Sequence, residues 1–232
     1  MARINKSTLT KLEIIRVASR LFLEKGYSVT TIKAISSELG MSTGNLTFYF
    51  PSKDHLLAEL TEMLCTFQWK LISTEVNEGI SSLMALCLEL TAMAAMCEDN
   101  SIARDFYLST YTSPRTLEIL RKNDTRRAQQ IFGSSLPHWK EENFHEAATL
   151  ISGIEYATLM TTESSPPLEI RIAGALEVIM RMFSIPEETR KLKINKALQL
   201  DYRGLGNRIF KEFIAFVEQN NEQAIEALLS QS

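Results

Sequence analysis

An all-α fold is predicted for this 232-residue chain, with an N-terminal three-helix helix-turn-helix domain ahead of a larger helical bundle. Three observations predict it. Apolar residues recur at three- and four-residue steps along most of the chain, which is the period of one helix face. No sustained polar–apolar alternation rich in Val, Ile, Thr or aromatics marks a strand. All six prolines (Pro51, Pro114, Pro137, Pro166, Pro167 and Pro186) fall between candidate helices, where a missing amide hydrogen and a bulky ring are tolerated.

Taken in order, the first helix covers about residues 8–25, with Leu12, Ile15, Ala18 and Phe22 on one stripe. Ser7 or Thr8 caps its start, and Gly26 stands where a left-handed C-terminal residue is wanted. A second helix, about 31–38, starts at a Thr30 or Thr31 cap and buries Ile32, Ile35 and Leu39. Gly40 supplies a tight turn, Ser42 caps a third helix over 42–48, and Pro51-Ser52 restarts the chain into a fourth, 52–74. Further helices are expected at 80–97, 101–111, 114–133, 141–162, 167–183 and 203–219, with shorter ones near 187–199 and 222–230. There is no internal repeat and no low-complexity tract.

Composition excludes several classes. At 45% hydrophobic and 23% charged, the chain is globular in make-up. A net charge of −3 argues against a polybasic arm along nucleic acid. That total hides an asymmetry. Residues 1–53 hold eight basic and three acidic side chains, a local +5, which leaves −8 for the remainder. Cys65, Cys87 and Cys97 are an odd number without C-x-x-C spacing, so they are expected as small buried hydrophobes in a reducing compartment. Met1-Ala2-Arg3 leads into a charged amphipathic stretch without a secretory core, so a cytoplasmic protein is expected. Gly79 to Cys97 comes nearest to a membrane span, but Glu89 interrupts it and no basic or aromatic anchors flank it. A buried bundle helix is the expectation there, and no membrane partner.

Two short helices joined by a glycine-containing turn are the sequence form of a helix-turn-helix. The second would lie in the major groove of duplex DNA, with Thr43, Asn45 and Thr47 toward base edges. Capped helix N-termini favour phosphate, because their free N–H groups and dipole attract an anion. Thr30, Thr31 and Lys33 stand at one such end, Ser42 at the next, and Ser52 with Lys53 at a third. Tyr49 is read as a phosphate contact and Phe50 as core.

The combined runs Leu21-Phe22-x-Glu24-Lys25-Gly26-Tyr27, Thr30-Thr31-Ile32, Leu39-Gly40-Met41-Ser42-x-Gly44-Asn45-Leu46 and Tyr49-Phe50-Pro51-Ser52-Lys53-Asp54 resemble the DNA-binding domain of the TetR family of bacterial transcriptional regulators. The resemblance covers about residues 8–58. It implies a cytoplasmic homodimer that binds a palindromic operator, usually to repress, and that releases it when a small-molecule effector enters the C-terminal domain. Thr47 stands where the family usually has a phosphate-touching aromatic, and Phe48 is expected to replace part of that contact. Ser36 stands where a small alanine is common, and its hydroxyl can bond back to a helix carbonyl.

The organisation expected is therefore a DNA-binding domain over 1–53 and a ligand-binding and dimerisation domain over 54–232, linked by helix four. An apolar or aromatic effector suits the Met- and aromatic-rich body. Candidate pocket residues are Trp69, Met93, Met96, Phe106, Tyr107, Tyr111, Phe132, Trp139, Tyr156 and Met160. Dimerisation is assigned to the helices at 141–162 and 167–183, where Gly153 and Ala157 permit close approach and Leu150, Ile154, Leu176 and Ile179 supply apolar surface. No cofactor is expected. His138, Glu142 and His145 share a face only on a continuous helix, which Pro137 argues against, so no metal is assigned. An enzyme is not expected, since the chain has no G-x-S-x-G elbow, phosphate loop, dinucleotide fingerprint or H-E-x-x-H. The alternative to a DNA-binding regulator is a helical adaptor whose helix-turn-helix head contacts protein.

Overall fold

The computed structural model describes residues 6–77 and 80–230, which form eleven α-helices and, among the described residues, no strand. They are α1 Lys6–Lys25, α2 Ile32–Glu38, α3 Thr43–Tyr49, α4 Lys53–Asn77, α5 Ser82–Asp99, α6 Ser101–Thr112, α7 Pro114–Phe132, α8 Glu141–Leu159, α9 Leu168–Met182, α10 Glu187–Gln199 and α11 Tyr202–Ser230. The architecture is all-α, a helix-turn-helix head on a larger helical body. Two expectations about length change. The helix expected over 141–162 stops at Leu159, and the two expected near 203–219 and 222–230 are one continuous helix, α11. Asn220-Asn221 has low helix propensity but contains no breaker, and tertiary packing overrides it. Asn221 is buried, and α11 packs along α1, α4 and α5.

Local chemistry explains the boundaries. Thr31 caps α2 by accepting the Ala34 amide at 3.1 Å, and Ser42 caps α3 by accepting the Asn45 amide at 3.1 Å. Gly26 ends α1 at φ +103°, and Gly40 makes the α2–α3 turn at φ +64°, conformations that side chains with a Cβ rarely adopt. Asn100 caps α6, accepting amides from Ile102 and Ala103 at 2.9 and 3.0 Å.

One buried apolar cluster runs without a break from the head into the body, from Ile14, Phe22, Ile35 and Leu46 through Leu57 and Leu64 to Phe106 and Phe213. Phe213 of α11 stacks on Phe106 of α6 at 5.7 Å and tilts against Phe67 of α4 at 5.5 Å. The long C-terminal helix is thereby wedged between the helices that join head and body. Cys65, Cys87 and Cys97 are all buried and unbridged, and burial pushes their thiols up to about 12, 11 and 12. No described helix is long and apolar enough to cross a membrane.

Candidate nucleic-acid interface and interior cavity

In the head, α3 has one face anchored and the other open. Leu46 is fully buried and Phe50 nearly so, while Thr43, Gly44, Asn45 and Phe48 face solvent. Phe48 is 79% exposed, its ring edge-on to Tyr49 at 5.3 Å. Thr47 is half-buried and turns its hydroxyl to the Gly44 carbonyl at 3.2 Å. Ser36, buried in α2, donates to the Lys33 carbonyl at 3.1 Å, the back-bond expected of it.

Two head residues assigned to phosphate, Thr30 and Lys53, are occupied inside the protein. Thr30 is 4% exposed and its hydroxyl donates to the Gly26 carbonyl at 2.7 Å, locking the α1–α2 turn. The Lys53 ammonium donates to the carbonyls of Tyr27 at 2.8 Å and Thr30 at 3.0 Å, and lies 4.0 Å over the Tyr27 ring. Burial holds the Lys53 ammonium below its ordinary pKa. Arg20 is tied to Glu24 and Glu38, pinning α1 to α2. Lys33, Thr31 and Ser42 remain on the surface, the latter two with their hydroxyls engaged in caps.

A second knot binds this turn to the body. Asp105 of α6 accepts the Ser28 amide at 2.8 Å and the Ser28 hydroxyl, while Tyr27 donates to Asp54 of α4 at 2.6 Å. The turn that orients α2 and α3 is thus held from α4 and α6 together.

The body contains a cavity of about 90 Å³ among α4 to α9 and Phe183. Most of its wall is aliphatic, from Leu83 and Leu90 to Leu176 and Met180. One side is different. Arg127 forks onto both carboxylate oxygens of Glu89 and reaches Asp124 at 3.5 Å, while Tyr111 donates to Glu155 at 2.9 Å. Burial works against the Arg127 charge, yet Glu89 and Asp124 hold the proton on it. Burial, then the neighbouring Asp124, pushes Glu155 up to about 8, and burial pushes Asp124 up to about 6 against the pull of Arg127.

Residues 14–60 match the family described as bacterial regulatory proteins, tetR family. Residues 14–60 are a tetR-family domain. The HTH-type transcriptional regulator HbdR of Aromatoleum sp. (strain CIB) is 30% identical over 125 residues, 51% of this chain and 53% of HbdR. An uncharacterized HTH-type transcriptional regulator of Bacillus subtilis (strain 168), YerO, is 44% identical over 52 residues, 22% of this chain and 18% of YerO. The chain therefore spans about half of one of these curated relatives and less than a fifth of the other. Among solved structures, full-length tylp, a tetR regulator from Streptomyces fradiae, aligns with 18% identity and a TM-score of 0.47, covering 87% of this chain and 96% of that one.

Behind the tetR-type head, the cavity gathers only some of the residues assigned to it. Met93, Tyr111 and Phe132 line it, and Met96 and Tyr107 line a void of about 20 Å³ that also touches Met93. The other five lie elsewhere. Trp69 donates to Asn123 at 2.7 Å, Phe106 is core against Phe213, and Trp139 packs on Phe144 at 5.0 Å. Tyr156 is half-buried on α8, and Met160 is 46% exposed past its end. Sequence reasoning missed Glu89, Asp124, Arg127, Glu155 and Gln68 of the cavity wall. A signal for one of them was present: Glu89 is the one carboxylate between Gly79 and Cys97, an apolar stretch that lacks Lys and Arg, so burial forces it to find a partner on another element.

The residues assigned to a dimer face also separate. Leu150, Gly153 and Ala157 are exposed and Ile154 half-buried along one side of α8. Leu176, in contrast, is 3% exposed and lines the cavity, as does the half-buried Ile179. The exposed apolar side of α9 belongs instead to Ile170, Gly174 and Val178, one turn apart at each step. His138 lies in the turn before α8 and does not share a helix face with Glu142 and His145.

Proposed function

We propose that this protein is a ligand-responsive transcriptional repressor that acts in the cytoplasm. A homodimer binds a palindromic operator through α3 of each copy and releases it when a small molecule fills the body cavity. The observation that carries this is the open face of α3, Thr43, Asn45 and Phe48, in a segment that matches the tetR family. Asn45 reads a base edge, and Phe48 packs on the sugar of the backbone. Thr31, Lys33, Ser42 and Tyr49 supply phosphate contacts around it. Lys53 and Thr30 act behind them, as posts that hold the turn before α2.

Support for the dimer comes from Leu150, Gly153 and Ala157 of α8 beside Ile170, Gly174 and Val178 of α9, an apolar surface with glycines that permit close approach. Support for the switch comes from α6, which carries both Tyr111 in the cavity wall and Asp105 on the head's turn. A shift of α6 on filling the cavity moves the turn that orients α3. The test is binding to duplex DNA enriched from a random library, measured against salt. Affinity that falls steeply as salt rises supports phosphate contact. Absence of duplex binding at low salt overturns the proposal in favour of a protein-binding adaptor.

A further inference from the structure

We infer that the cavity selects a small organic cation, a protonated amine on a ring-sized or short branched apolar body, over neutral and anionic molecules of the same shape. This deepens the proposed function and rests on it for the cavity being an effector site.

Charge decides the sign. Three carboxylates (Glu89, Asp124 and Glu155) and one guanidinium (Arg127) face this space. Arg127 is already committed to Glu89 through both terminal nitrogens and to Asp124 through one, so it offers an incoming anion little. Glu155 has a phenol as its polar partner, Tyr111, rather than a cation. With Glu89 and Asp124 set against the single charge of Arg127, an anionic ligand would add to a negative excess, whereas a cation balances it.

Unmet hydrogen bonds point to a polar ligand group. Gln68 Oε1, an acceptor, is buried without a partner among the described residues and its residue lines the cavity; the equally unpaired Nε–H of Arg127 is a donor and takes no part in holding an ammonium. Buried polar atoms are normally paired, so an orphaned acceptor beside surplus carboxylates fits an N–H donor. The aliphatic part of the wall, with Leu90, Met93 and Met180, suits a hydrocarbon body. At about 90 Å³ the space is smaller than the roughly 150 Å³ that holds a benzene ring, so a ring enters as the methionines repack around it.

Ionisation follows. Glu155, pushed up to about 8 by burial and Asp124, with Tyr111, Glu89 and Arg127 around it, holds its proton near neutrality. A bound ammonium favours the carboxylate and expels that proton. Binding releases a proton and tightens as pH rises toward 8.

The test uses the full chain and three near-isosteric probes: 2-phenylethylammonium, 2-phenylethanol and phenylacetate. Titration calorimetry at pH 7, in buffers of different ionisation enthalpy, is expected to show the ammonium binding at least about tenfold tighter than the alcohol, with proton release. Phenylacetate is expected to bind weakest. Glu155→Gln, an isosteric change, removes the tenfold preference and the proton release but leaves alcohol binding in place. Asp124→Asn provides the same comparison should the first variant misfold. Equal binding of all three, tightest binding of phenylacetate, or no binding of the ammonium overturns the inference. Duplex binding is measured on the same samples. An ammonium that binds as stated to a protein with no affinity for duplex sinks the regulatory function and leaves the cavity's charge selectivity standing. Duplex binding released by phenylacetate alone does the reverse.

Discussion

Asp105 of α6 accepts both the backbone amide and the hydroxyl of Ser28, so a body helix holds the turn that orients the two short helices of the head. Bonds to an ionised carboxylate contribute more than neutral ones, about 1.5–3 kcal/mol where well formed. Asp105 is only half-buried, so Asp105→Ala is expected to cost about 1–2 kcal/mol, a fall in Tm of several degrees. Asp105→Asn keeps one acceptor and is expected to cost less. Gly26→Ala should be at least as damaging, because φ is +103° there and an added Cβ would sit 2.9 Å from Asp105 Oδ2. Thermal melts of the three variants check the order, and a neutral Asp105→Ala would remove the turn's proposed anchor.

Lys53 separates a positioning role from a phosphate contact. Its ammonium donates to the Tyr27 and Thr30 carbonyls, so Lys53→Met is expected to lower Tm and weaken duplex binding while leaving the slope of log affinity against log salt unchanged. A direct phosphate contact would instead lower that slope by about one and leave stability nearly intact. Lys33→Met should show this second behaviour, since Lys33 is exposed on α2. Parallel salt titrations of the two variants decide between the roles.

The face of α3 yields a contrast within three residues. Phe48→Ala removes a side chain that is 79% exposed, so stability should stay within about 0.5 kcal/mol of the parent. Duplex affinity should fall roughly tenfold across sequences. Asn45→Ala should relax base preference at one position, costing about 1–3 kcal/mol on the preferred site and little on others. Leu46→Ala, between them but fully buried, should destabilise the head by about 2–5 kcal/mol. Equal effects of Phe48→Ala and Leu46→Ala on Tm would contradict the two-faced α3.

Local signals made the fold legible. Caps at Thr31 and Ser42, left-handed glycines at 26 and 40 and the interhelical prolines act within a few residues of the boundaries they set, so those boundaries can be read without knowing the packing. Side-chain commitments could not be read that way. Lys53 looks like any surface lysine until Tyr27 and Thr30, more than twenty residues away, turn their carbonyls toward it. Leu176 and Val178 both stand on an apolar helix, and only the placement of α9 sends one into the cavity and the other to solvent. The acid-rich wall draws on α5, α7 and α8 at once, and periodicity on one helix carries no information about the side chains of two others.

Stability should fall as pH rises through the range where Glu155 differs from its ordinary value. In the folded protein burial lifts it from 4.5 to about 8, so between those values the folded state holds a proton that the unfolded chain has released. The folded state binds more protons there, and unfolding becomes easier with each rise in pH until about 8, where the effect levels off. Asp124, lifted to about 6, acts in the same direction over a narrower range. Melting curves from pH 5 to 8 are expected to show a declining Tm, flattened in Glu155→Gln. A Tm that rises over this interval in the parent, with no change in the variant, would mean that Glu155 is ionised in the fold.

The dimer surface can be tested by charges placed one residue pair apart on the same helix. Val178 is 48% exposed and lies near Ile170 and Gly174 on the outer side of α9, while Leu176 is 3% exposed and faces the cavity. Val178→Glu should leave the monomer folded, because an exposed carboxylate is solvated, but would bury an unpaired charge if two copies met there. Leu150→Glu, on the exposed side of α8, should do the same. Sedimentation at micromolar concentration is expected to show a dimer for the parent and a folded monomer for either variant, with duplex affinity reduced because one head reads only half of a palindrome. Leu176→Glu should instead lower Tm severely, by placing the charge in the interior. If Val178→Glu and Leu150→Glu remain dimeric, copies of the chain pair through another face and the two-helix surface has a different partner.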